Sequence, residues 1–167
     1  KDKTEVVIVC IGTDRSTGDS LGPFIGTFLE KSKTKMLTVY GTIEHPMHAL
    51  NISERMQLIR EKHKSALIIG IDASLGDKED IGKINIAEKP IRPGAALGKK
   101  IEEIGHISIK VTVATGDFAP AIAISNVRLK EVLQKAEEIK DILKMLDNYL
   151  HRNIVKKELA EVALTSR

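Results

Sequence analysis

Two aspartates follow aliphatic segments of this sequence and could together support acid–base chemistry. Asp19 lies in a polar, glycine-containing loop after the aliphatic run 6–11, and Asp72 directly follows the aliphatic run 66–71. Two carboxyl groups that share a cleft separate their pKa values, because like charges disfavour ionisation of both. The ionised carboxylate can accept a proton from water, while the protonated one can polarise a carbonyl. The same two acids could instead hold a divalent cation.

Each aspartate also has a structural interpretation. Asp19 could be the N-cap of the helix that follows it, which is the commoner role for an isolated aspartate in that position. Asp72 could equally cap the turn after its strand. Residue type alone therefore leaves both interpretations open.

Glycines and basic residues near these acids are candidates for binding a substrate. Gly12, Gly18 and Gly22 surround Asp19 in sequence, and Gly70 precedes Asp72 by two residues. A glycine lets another backbone approach closely, so these four could admit a substrate chain. The loop completes neither phosphate-binding glycine pattern, so its phosphate signal is weak. The candidate cleft-lining cations are Arg92 and Lys99.

The apolar periodicity predicts alternating strands and helices that would bring the two acids to one sheet edge. The predicted strands are 6–11, 37–40, 66–71, 83–87 at an edge, and 107–114. The predicted helices are 22–31, one opened by a capping box at 51–54, a short one near 99–104, and a long amphipathic one over 127–150. We expect Ser125 or Asn126 to cap the long helix, and 152–167 to be a separate, frayed helical turn. The pattern predicts one α/β domain over 1–167, three-layered αβα, with helices flanking a mostly parallel sheet.

Composition limits the possible partners. The 167 residues carry a net charge of +3 and only 3% aromatic residues, which argues against direct nucleic-acid binding. One cysteine, Cys10, excludes an internal disulfide and fits a reducing compartment. No apolar stretch is long enough for a membrane span, so we expect a cytoplasmic protein without a membrane partner.

Four sequence blocks resemble known families. Residues 8–23, 39–51 and 69–73, together with the Arg92-Pro93-Gly94 stretch that continues to residue 100, stand in the same order as blocks of sporulation proteins. The first block, and the segments 39–42 and 46–51, resemble YyaC-type sporulation proteins. The first, third and fourth blocks are similar to the spore germination protease. The resemblance covers about residues 6–133.

The resemblance implies a fold shared with hydrogenase-maturation endopeptidases, and a protein or peptide substrate. The germination protease is an atypical aspartic endopeptidase that degrades small acid-soluble spore proteins, and its essential aspartates fall on Asp19 and Asp72. Maturation endopeptidases hold a metal through acids at these two positions and a later histidine, which has no convincing counterpart here. The implied function is a cofactor-free peptidase-like hydrolase of the forespore or spore core. A metal-dependent endopeptidase and a non-catalytic sporulation module remain alternatives, and self-association stays open.

Overall fold

A five-stranded, mostly parallel sheet forms the centre of the fold. The computed structural model describes residues 5–93, 102–116 and 119–165, with side chains as far as residue 158. The strands lie in the order β2-β1-β3-β5-β4, and β4 alone among them pairs antiparallel with its neighbour. They are β1 (Val6–Cys10), β2 (Leu37–Tyr40), β3 (Leu67–Gly76), β4 (Ile84–Ala87) and β5 (Ile107–Thr115).

Helices cover both faces of the sheet. They are α1 (Leu21–Lys31), α2 (Ile52–Lys62), α3 (Pro120–Ser125) and α4 (Leu129–Thr165). Side chains on one sheet face pack with α1 and α4, and those on the other face pack with α2. The alternation of side chains along each strand divides the aliphatic residues between these two cores. The predicted αβα architecture is therefore confirmed.

The predicted start of α2 is confirmed but its capping box is absent, and the predicted start of the long helix is wrong. Asn51 precedes α2, but its amide accepts a hydrogen bond from the His48 N–H and donates one to the Pro46 carbonyl. It thus closes the preceding loop and leaves the capping box unformed. The unpredicted helix α3 ends at Ser125 with Asn126 as its C-cap, so α4 begins later, at Leu129.

Two further differences concern segments with weak periodicity. The predicted break near residue 152 is absent, because α4 continues to Thr165. The predicted helix near 99–104 is wrong at its end, where Ile104 forms an antiparallel bridge with Ile91 and is buried. The first residues of that segment, including Lys99, lie outside the described residues. Among the helices that the structure describes, none has the length and apolarity that crossing a membrane requires.

A buried aspartate fastens α4 to the loop before β2. Asp147 has no exposed surface, and its carboxylate accepts hydrogen bonds from the backbone N–H groups of Lys35 and Met36 at 2.7–3.1 Å. Burial alone would raise the pKa of Asp147, but these hydrogen bonds and the nearby Lys144 ammonium outweigh it and lower the pKa. The carboxylate therefore stabilises the fold in its ionised form.

Candidate active site

The strand order places a topological switch point between β1 and β3. The chain leaves β1 toward β2 on one side of the sheet, and β3 lies on the other side of β1. Ligands of open α/β sheets bind at such a switch point, outside the carboxyl ends of the strands. Asp19 lies here, in a single 3-10 turn (Gly18–Ser20) between β1 and α1. The N-cap residue of α1 is Ser20, so Asp19 does not occupy the capping position that the structural interpretation requires.

Close backbone contacts hold the loop that carries Asp19. Gly12 has φ +144°, and a Cβ there would lie 1.9 Å from the Asp19 carbonyl oxygen, which accepts a hydrogen bond from Thr13. A Cβ at Gly18 would lie 2.6 Å from the Ile124 carbonyl oxygen, and one at Gly22 would lie 2.1 Å from that of Ile11. These three glycines thus let the chain pack against itself, and their contact with a substrate stays a prediction.

Asp72 lies inside β3, and its predicted place at the end of that strand is wrong. The β1–β3 ladder ends at the pair Cys10 and Ile71, one residue earlier, which is why the aliphatic run stops there. Strand β3 continues to Gly76 because β5 remains beside it and supplies backbone partners. Asp72 therefore lies where β1 has ended and β3 is still paired with β5, so β5 holds its backbone in place beside the switch point.

The environment of Asp72 favours its protonated form. Its side chain retains some exposed surface but lies deep within the protein volume. Burial, followed by the negative charge of Asp19, raises the pKa of Asp72 to about 8. The Lys110 ammonium and a hydrogen bond from the Ala73 N–H act in the opposite direction and are outweighed. The two acids are thus close enough for their charges to interact, and at neutral pH Asp72 holds a proton.

Lys110 is a site residue that the sequence interpretation missed. It is the direct partner of Asp72 across the β3–β5 ladder and of Asn85 across the β4–β5 ladder. Parallel partners point to the same sheet face, so an ammonium group lies beside the Asp72 carboxyl. The alternation in β5 contained a usable signal, because Ser108, Lys110 and Thr112 make one face of this interior strand polar.

The remaining predicted residues have other surroundings. Gly70 shares the sheet face of Asp72, and a Cβ there would meet the Ile104 carbonyl oxygen at 3.4 Å, an ordinary contact. Arg92 is exposed and its guanidinium pairs with Glu103, so Lys110 is the cation that acts on Asp72. Lys99 is outside the described residues.

The donor set was also tested against a divalent metal. Within the described ranges, no three His, Cys, Asp or Glu side chains come together in a way that could hold an ion. Asp19 and Asp72 offer only two carboxyl groups, and the Lys110 ammonium adds a positive charge beside Asp72. These residues do not fit a metal held by the protein alone, so no step of the chemistry below involves one.

Comparison with known sequences assigns the chain to a family. The sequence model of the family described as "Protein of unknown function (DUF1256)" matches residues 1–142. The chain belongs to this family. It is similar to the "Uncharacterized protein YyaC" of Bacillus subtilis (strain 168), with 37% identity over 142 residues, which are 85% of this chain and 69% of that protein.

Comparison with solved structures confirms the fold. The chain is similar to the [NiFe] hydrogenase maturation protease HycI from Thermococcus kodakarensis KOD1, with a TM-score of 0.57, 17% identity, and coverage of 87% of this chain and 93% of that one. It is also similar to a hydrogenase 3 maturation protease, with a TM-score of 0.53, 15% identity, and coverage of 83% and 88%. At these identities the likeness shows a shared α/β fold, as the sequence resemblance implied.

Proposed function

We propose that this member of the DUF1256 family is a peptidase-like hydrolase in which Asp19 and Asp72 activate water against a peptide carbonyl. The observation that carries the proposal is the raised pKa of Asp72, about 8, beside the negative charge of Asp19. One protonated and one ionised carboxyl group that interact electrostatically are the state that acid–base hydrolysis requires at neutral pH.

In the proposed chemistry, each of the two acids both donates and accepts a proton. The Asp19 carboxylate takes a proton from water as the water oxygen bonds to the peptide carbon, while Asp72 gives its proton to the carbonyl oxygen. The resulting tetrahedral diol then collapses. The C–N bond breaks as Asp19 returns its proton to the leaving nitrogen, and Asp72 recovers a proton from a diol hydroxyl. Both acids regain their starting states, and one water has been added across the peptide bond.

Lys110 supports the transient charge in this scheme. Asp72 becomes ionised when it donates its proton, and the ammonium across the β3–β5 ladder favours that form. The cation is thus an electrostatic partner of Asp72 and takes no proton itself. Its removal would raise the pKa of Asp72 further and make proton donation harder.

The substrate assignment rests on resemblance. The sequence blocks around Asp19 and Asp72 are similar to those of the spore germination protease, and the fold is that of hydrogenase maturation proteases. We infer a protein substrate, with small acid-soluble spore proteins in the forespore or spore core as its first candidates.

The direct test is cleavage of purified small acid-soluble spore proteins, followed by mass spectrometry of the fragments. We expect the wild-type chain to cleave, and Asp19→Asn and Asp72→Asn each to reduce the rate by at least about 100-fold. Asp14→Asn is the matched control, because Asp14 is an exposed acid of the same loop and its replacement should leave the rate unchanged.

Two other outcomes would contradict the proposal. Loss of cleavage with a chelator and its recovery with a divalent cation would indicate a metal-dependent endopeptidase. No cleavage by folded wild-type protein, with stable binding of the spore protein that both Asn variants retain, would indicate a non-catalytic binding module.

The reaction should also slow as the pH rises through about 8, because Asp72 then loses the proton that it donates.

A further inference from the structure

A row of exposed residues runs along α4 on a side that does not pack on the sheet. We call it the outer row, and it consists of Glu138, Ile142, Met145, Tyr149, Arg152 and Lys156. Ile142, Met145 and Tyr149 are 39%, 73% and 63% exposed, although each is a large apolar or aromatic residue. Their spacing of three and four residues places them on one side of the helix. Consecutive apolar residues on an exposed helix side indicate a contact surface.

The outer row is separate from the side of α4 that stabilises the fold. The core side of the helix is formed by Val132, Ala136, Ile139 and Leu143, all buried. At 3.6 residues per turn, the centre of the outer row lies roughly a third of a turn around the helix from the centre of this core side. Substitutions in the outer row can therefore change association while leaving the packing against the sheet intact.

Charge along the outer row indicates which partner fits it. Glu138 lies at one end, Arg152 and Lys156 lie at the other, and the apolar residues lie between them. In an antiparallel pair of α4 helices centred between Met145 and Tyr149, Glu138 of one copy faces Lys156 of the other and Met145 faces Tyr149. The same register places Ile142 against Arg152, whose aliphatic stem can pack on it while its charged end stays in water. A parallel pair would instead place Glu138 beside Glu138, which like charge disfavours.

We propose that a second copy of this chain docks on the outer row, so that two α4 helices pair antiparallel around a two-fold axis. Such an isologous contact uses the same patch on both copies and repeats each charge pair twice. Glu138 also pairs with Lys135 of its own helix at 2.7 Å, but that contact is exposed and contributes little. The family model ends at residue 142, so most of the outer row lies beyond the matched residues.

Sedimentation equilibrium of the whole chain over a range of concentrations tests the proposal. We expect a concentration-dependent dimer, and Met145→Asp should abolish it because a charge would then be buried at its centre. Glu138→Lys and Lys156→Glu should each weaken dimerisation by at least about fivefold, since two charge pairs per dimer become repulsive. The double variant should recover wild-type association, which no change in folding would produce.

Lys157→Glu is the matched control, because it changes charge by the same amount at the neighbouring exposed position, off the outer row. We expect it to dimerise like the wild type. A wild-type chain that stays monomeric at several hundred micromolar would overturn the proposal. So would a dimer that Met145→Asp and both charge reversals leave unchanged, because another surface would then be responsible.

Discussion

Replacing Asp72 with asparagine should stabilise the fold at neutral pH. In the unfolded chain an aspartate ionises near pH 4, whereas burial and Asp19 raise the pKa of Asp72 in the folded chain to about 8. An acid whose pKa is raised on folding does not affect stability at a pH below its unfolded pKa. As the pH rises from the unfolded pKa to the folded pKa, it lowers the free energy of unfolding progressively. Asparagine resembles the protonated acid and removes this penalty.

The expected gain depends on pH. Each pH unit between the two pKa values corresponds to about 1.4 kcal/mol, which gives roughly 4 kcal/mol at pH 7. Because Asp72 retains some exposed surface, we expect about 2–4 kcal/mol at pH 7 and almost no difference at pH 4.

Urea denaturation at several pH values between 4 and 8.5 measures this effect directly. The difference in the free energy of unfolding between Asp72→Asn and wild type should grow as the pH rises, then level off above about 8. A difference that stays constant with pH, or a variant less stable than wild type at pH 8, would refute the argument that Asp72 is held in its protonated form.

Four further substitutions test separate parts of the structure. Lys110→Met removes the cation beside Asp72, so the high-pH decline of activity should move to higher pH in a pH–rate profile. Asp147→Ala should cost about 2–5 kcal/mol in urea denaturation, because two part-buried backbone N–H groups lose the charged acceptor that Asp147 provides. Since the pKa of Asp147 is lowered, wild type should lose this advantage as the pH falls below about 4. Ile139→Ala should cost about 2–5 kcal/mol, and Leu133→Ala should cost less because Leu133 is partly exposed. Equal losses of stability in thermal unfolding would show that the side of α4 assigned here as buried is wrong.

Local patterns in the sequence were enough to predict most of the architecture. The aliphatic run 6–11 and the strand 37–40 correspond to β1 and β2, and the predicted helix 22–31 to α1, which begins one residue earlier. Such segments are predictable because burial on one or both faces leaves a regular spacing of apolar residues. The same spacing located Asp19 in the loop after β1, although its proposed catalytic role comes from the resemblance and awaits the cleavage assay.

Pairing between distant segments decided the rest. The position of Asp72 inside β3 depends on β5 extending beyond the end of β1, and no local pattern records how far two strands run side by side. The contact between Asp72 and Lys110 likewise follows from strand register, which joins residues far apart in sequence. The raised pKa of Asp72 requires that burial and both neighbouring charges be present together, so only the tertiary structure could determine it.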